Sequence, residues 1–116
     1  MARKSVFDME AASVYQALVN KAERKNRSRE EVDEVTCWLL GYDANSLEDA
    51  LAPGKTYGEL LEGAPSPNPK AELITGTICG VRVEEIADPL TKRMRQLDKL
   101  VDELARGKAM SKVLRA

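Results

Sequence analysis

Apolar positions recur at helical rather than strand spacing over most of this chain. Tyr15, Leu18, Val19 and Ala22 share one face of a 3.6-residue period. They predict a helix from Val14 to Lys25, opened by a capping box of Ser13 with Gln16 three positions on. A second helix is marked by another box, Ser28 with Glu31, by Val32, Val35, Thr36, Leu39 and Leu40 at the same period, and by Gly41 at the closing position. Joined at Asn26-Arg27-Ser28, the two read as a helical hairpin. Two shorter units repeat the grammar of a hydroxyl N-cap followed by an acid. Ser46 to Asp49 opens a turn or two that Pro53-Gly54 stops, and Thr56 to Glu59 opens another that Gly63 stops.

From Gly63 to Pro69 three prolines at alternate positions enforce an extended crossing, which delivers the chain to Asn68-Pro69 as an N-cap and first helical residue. Residues 71–86 are ambiguous. Ile74, Ile78 and Val81 fit helical spacing, whereas their β-branching and that of the neighbouring threonines fit a strand. The favoured expectation is a buried helix from Pro69 to Cys79, ended by Gly80; the alternative is a small β-hairpin within 72–84. The last long helix is the clearest. Asp88 caps it, Pro89 takes its first position, and Leu90, Met94, Leu97, Val101 and Leu104 step by 4, 3, 4 and 3 up to Gly107. Met110, Val113 and Leu114 mark a short tail helix folding back. The fold class expected is all-α, a single domain over 1–116 with five to six helices, the hairpin alternative making it α+β. Abundant Leu and Ala and scarce Ile and aromatic residues agree with helix.

Several phrases of the chain, in order, carry a family resemblance. They are Ser13-Val14-Tyr15, Lys21-Ala22-Glu23-Arg24-Lys25, Trp38-Leu39-Leu40-Gly41-Tyr42, Ala64-Pro65 with Asn68-Pro69, Ile78-Cys79-Gly80-Val81-Arg82, and Gly107-Lys108-Ala109-Met110. The chain resembles, over nearly its whole length, a bacterial family of short proteins catalogued as domain of unknown function 2200. The resemblance implies a small, mainly helical domain and brings no activity, substrate or partner with it. Gln16 stands where the family pattern has proline after the tyrosine, which bears only on how the first helix begins.

Composition narrows the chemistry. The chain has no histidine, which excludes Ser-His and Cys-His nucleophilic catalysis and imidazole metal sites. No cofactor, metal or catalytic residue is expected. Apolar runs are far shorter than the roughly 18–20 residues that span a bilayer, and the early charges Arg3 and Lys4 are not followed by an apolar leader core, so no membrane association and a cytoplasmic location are expected. Cys37 and Cys79 lack the spacing of a redox or zinc motif and are most simply small buried hydrophobes. Net charge is −1, yet residues 43–64 hold one lysine against five acids and 89–116 hold eight bases against three acids. The two segments could attract one another within the chain or between subunits.

Three functional readings follow. The leading one is a non-enzymatic helical interaction module, binding a protein partner or self-associating through the apolar stripe of the long C-terminal helix. The second is a small-ligand or thiol-dependent site around Trp38, Cys37, Cys79 and Arg82, with Arg82 anchoring an anion. The carboxylates Glu84, Glu85 and Asp88 lie next to Arg82 but read as a solvated helix approach. The third is weak nucleic-acid binding by Lys21, Arg24, Lys25, Arg27 and Arg29. It is disfavoured by the four acids within Glu30–Glu34, which the dipole of the second helix welcomes but a phosphate backbone would not.

Overall fold

The computed structural model describes residues 6–115. The expectation about an apolar leader core falls partly on residues 1–5, outside them. The described residues form α1 (Ala11–Glu23), α2 (Arg29–Leu40), α3 (Ala44–Ala50), α4 (Tyr57–Glu62), β1 (Thr77–Ile78), β2 (Val81–Arg82), α5 (Pro89–Ala105) and α6 (Met110–Val113), with single 3-10 turns at Val6–Asp8, Pro69–Leu73 and Val83–Glu85. The architecture is all-helical apart from one two-stranded hairpin.

Helix α5 is the centre. Leu97, Leu100, Val101 and Leu104 on it are fully buried, against α1, α2 and α4 on one side and the hairpin and α6 on others. Its 4-3 apolar stripe is therefore the internal core, and the stripe that suggested a dimer seam is already covered by the chain itself. The tail does fold back. Arg115 donates to both carboxylate oxygens of buried Glu103 on α5, at 2.9 and 2.6 Å, and to the Leu73 carbonyl at 3.2 Å.

Helix ends show which local signals were sufficient. The boxes at Ser28–Glu31 and Thr56–Glu59 form as expected, with side chain and backbone satisfying each other. The box at Ser13 does not form: α1 begins at Ala11 behind Glu10, because Glu10 bridges Thr56 and the Ala11 N–H donates to the Lys55 carbonyl at 2.8 Å. A contact 44 residues away satisfies a donor that would otherwise need a cap. Ser46 is not an N-cap either. Asp43 caps α3, and Ser46 is the third helical residue whose hydroxyl accepts from the Asp43 N–H at 2.9 Å.

The proline-rich crossing caps α2. Ser66 and Asn68 donate their backbone N–H groups to the Leu40 and Leu39 carbonyls, and the Asn68 side chain donates to that of Trp38 at 3.1 Å, which satisfies carbonyls left open in the last turn. Gly41 sits at φ +83°, where a Cβ would collide with the backbone of Ser66, so both its conformation and the close approach require glycine.

The expected buried helix from Pro69 to Cys79 is replaced by a 3-10 turn ending at Leu73 and then the hairpin. Gly76 at φ +106° leaves helical geometry, its N–H donating to the Glu84 carboxylate at 3.0 Å and its carbonyl accepting from Val83 at 3.0 Å. Cys79 and Gly80, at φ +52° and +77°, make the two-residue turn between strands paired Thr77 to Arg82 and Ile78 to Val81. Here β-branching outweighed the helical spacing.

Candidate functional site

An open groove of about 910 Å³ lies between α1, α2 and α3. Its apolar lining comes from Ala12 and Tyr15 of α1, Cys37 of α2, Ala44 and Leu47 of α3, and Leu51, Ala52 and Pro53 beyond it. Its charged lining is Arg29, Asp33 and Glu34 on α2 with Glu48 and Asp49 on α3: four carboxylates against one guanidinium. Asp49 also borders a smaller concavity lined by Glu59, Glu62 and Lys55, which adjoins the groove.

Residues far apart in sequence set the geometry of the floor. The Tyr15 hydroxyl donates to Asp33 Oδ1 at 2.5 Å and lies 3.3 Å from Thr36 Oγ1, whose own hydrogen goes to the Val32 carbonyl. Arg29 reaches back over the Tyr15 ring, 5.8 Å from its centroid, with Nε 3.9 Å from Asp33 Oδ2. Burial and then the hydrogen bond to Asp33 push the Tyr15 phenol well above its ordinary value, keeping it a neutral donor. Burial, followed by the charges of Asp33 and Asp43, pushes the Cys37 thiol up as well. A protonated thiol is a poor nucleophile.

The residues of the thiol-site reading are distributed over two regions. Cys37 lines the groove; Trp38, beside it on α2, is half-buried against the core and is not part of the lining. Cys79 is exposed at the hairpin turn, and exposed Arg82 on β2 pairs with Glu85 at 3.8 Å; neither lines the groove. Both cysteines are free. Among the described residues no group of three or more Cys, Asp or Glu is placed to hold a metal ion.

Three of the five cations of the basic run are engaged. Lys21 pairs with Asp102 at 3.2 Å, Arg27 with Glu31 at 2.6 Å, and Arg29 with Asp33. Arg24 and Lys25 are exposed. Arg27 also donates to the Lys108 carbonyl at 2.9 Å, which brings the run beside the basic tail.

The charged groove residues that sequence reasoning passed over are Asp33, Glu34, Glu48 and Asp49. The acidic excess of 43–64 pointed to two of them; the meeting of Tyr15 with Asp33 had no local signal.

The class defined by fold and site is a small helical domain with a closed internal core and one acidic, partly apolar groove. No helix in the described residues is long and apolar enough to cross a membrane. The chain belongs to the family described as "Uncharacterized protein conserved in bacteria (DUF2200)", whose model matches residues 5–115. It is similar to a solved structure titled "Crystal structure of uncharacterized protein SP1917", at 47% identity over 99% of this chain and 93% of that one, with a TM-score of 0.91. No curated protein matches.

Proposed function

We propose that the chain is a non-enzymatic interaction module whose binding face is the groove between α1, α2 and α3. One observation carries this: an open concavity with an apolar lining that includes small side chains and Leu47, bordered by Glu34, Glu48 and Asp49, carboxylates that the fold leaves exposed. Surfaces of that kind recognise a partner by apolar contact inside and charge at the rim. The raised thiol of Cys37 and the separation of Cys79 and Arg82 from the groove weigh against the thiol-dependent reading. Nucleic-acid binding is weaker still, since Lys21, Arg27 and Arg29 already face carboxylates that a phosphate would have to displace. Self-association through α5 would have to unpack the core.

The test is to fill the groove. Ala52 is half-buried in its wall, and Ala52→Arg places a long side chain across it. Tagged wild-type chain expressed in a bacterium carrying the family should co-purify with a discrete partner that Ala52→Arg loses and the remote exposed variant Glu23→Arg keeps. A co-purifying set unchanged by Ala52→Arg would remove the groove from the proposal.

A further inference from the structure

We infer that the groove takes a positively charged amphipathic segment of another protein, with apolar residues on the floor and lysine or arginine against the rim. The inference rests on the groove being the binding face. Its own observation is the charge accounting of the folded chain. Among the described residues, no ion pair joins an acid of 43–64 to a base of 89–116, so the attraction that their compositions suggested is not used internally.

All of the bases but exposed Lys112 are engaged elsewhere. Arg95 pairs with Asp98, Arg106 with Asp102, Lys108 and Arg115 with Glu103, and Lys92 with Glu72. Arg93 donates to the Leu61 carbonyl and Lys99 to that of Thr77. The acids are not so engaged: Asp43 and Glu59 cap helices, while Glu48, Asp49 and Glu62 are exposed and enter no ion pair among the described residues. Glu34, on the opposite wall, is exposed in the same way.

A second copy of this chain is a poor occupant, because most of the bases it would offer must first leave their own partners. A foreign cationic segment has no such cost, and its charges meet the unpaired carboxylates of both walls. The open space between the faces of α1, α2 and α3, apolar inside and acidic at its edge, can take a segment with one apolar and one cationic face.

The probe is a labelled synthetic amphipathic helix of roughly 18 residues, about five turns, with leucines on one face and lysines on the other, beside versions carrying glutamate or glutamine for lysine. Anisotropy titration of the full chain should show the lysine peptide binding and weakening severalfold as salt rises from about 0.05 to 0.3 M. The double variant Glu48→Lys with Asp49→Lys should weaken it by about tenfold or more, whereas Glu23→Lys should not. Equal binding of the glutamine or glutamate peptide, lost in Ala52→Arg, would overturn the cationic partner while leaving the groove as binding face. Binding of the lysine peptide that ignores the double variant would overturn the inference, as would self-association at low micromolar concentration that the double variant abolishes.

Discussion

Tyr15 and Tyr57 are both about 1% exposed, and their hydroxyls differ in what they meet. That of Tyr15 is held by Asp33 and Thr36; that of Tyr57 is buried without a hydrogen-bond partner among the described residues, and burial drives its phenol far above the ordinary range. Removing a satisfied buried hydroxyl strands its partner, whereas removing an unsatisfied one relieves a desolvation penalty. Tyr15→Phe should therefore cost about 1–2 kcal/mol in urea unfolding, and Tyr57→Phe should leave stability within about 0.5 kcal/mol or raise it. Equal losses at the two positions would contradict this account of the core. The same reasoning explains why Asp33 was illegible as a groove residue. Its partner Tyr15 lies 18 positions away, and its place among the acids of α2 gave a sufficient local explanation through the helix dipole.

At the scale of elements, the helix starts at Ser28 and Thr56 were legible because the side chain and backbone group that satisfy each other are three residues apart, whereas the equally spaced Asp43–Ser46 box was overshadowed by the competing Ser46–Asp49 pair. Ser28 and Thr56 are such caps, and replacing either with Ala should cost about 1 kcal/mol. Ser13→Ala should cost almost nothing, because the start of α1 is secured by Lys55 and Ser13 itself only approaches Glu10 at 3.4 Å. Thermal or urea unfolding of the three variants separates the cases, and a Ser13 loss matching that of Ser28 would restore the local box. The hairpin illustrates the opposite difficulty. Ile74 and Ile78 are both buried, as a helix would require, yet Gly76 at positive φ turns the chain between them. The spacing recorded burial correctly and the backbone wrongly.

Helices α1 and α5 are joined by a charge whose pH dependence has a definite sign. Burial alone would raise the Asp102 carboxyl, but hydrogen bonds and charge from Lys21 and Arg106 outweigh it and hold the group below its ordinary 3.8. A carboxyl lowered by folding adds stability above its unfolded pKa and loses it as pH falls through the folded value. Asp102→Asn should thus destabilise by about 1–2 kcal/mol at pH 7, and the gap should close as pH falls below about 4. Asp98, one turn earlier, is shifted the other way: burial raises it despite Arg95. Its contribution is present below the unfolded pKa and lost as pH rises through the folded one, so Asp98→Asn should be neutral or stabilising at pH 7. Chemical denaturation across pH 3–7 reads both, and matching profiles for the two variants would refute the assignment.

For the whole molecule, the helical class and the long amphipathic C-terminal helix were legible because periodicity, capping and composition agree there, and the family was legible through the resemblance of its sequence phrases. What α5 packs against was not, since its stripe suits a dimer seam and an internal core equally; the structure places α1, α2 and α4 against it. The groove was legible only as an excess of acid, because its walls come from three helices brought together by tertiary packing. That groove is the proposed binding face. The most direct measurement is a ¹H–¹⁵N NMR titration of the full chain with the lysine-bearing amphipathic peptide. Amide shifts confined to Ala12–Gln16, Arg29–Cys37 and Ala44–Pro53 are predicted. Shifts centred instead on the hairpin around Cys79 and Arg82, or on α6 and the basic run, would contradict it.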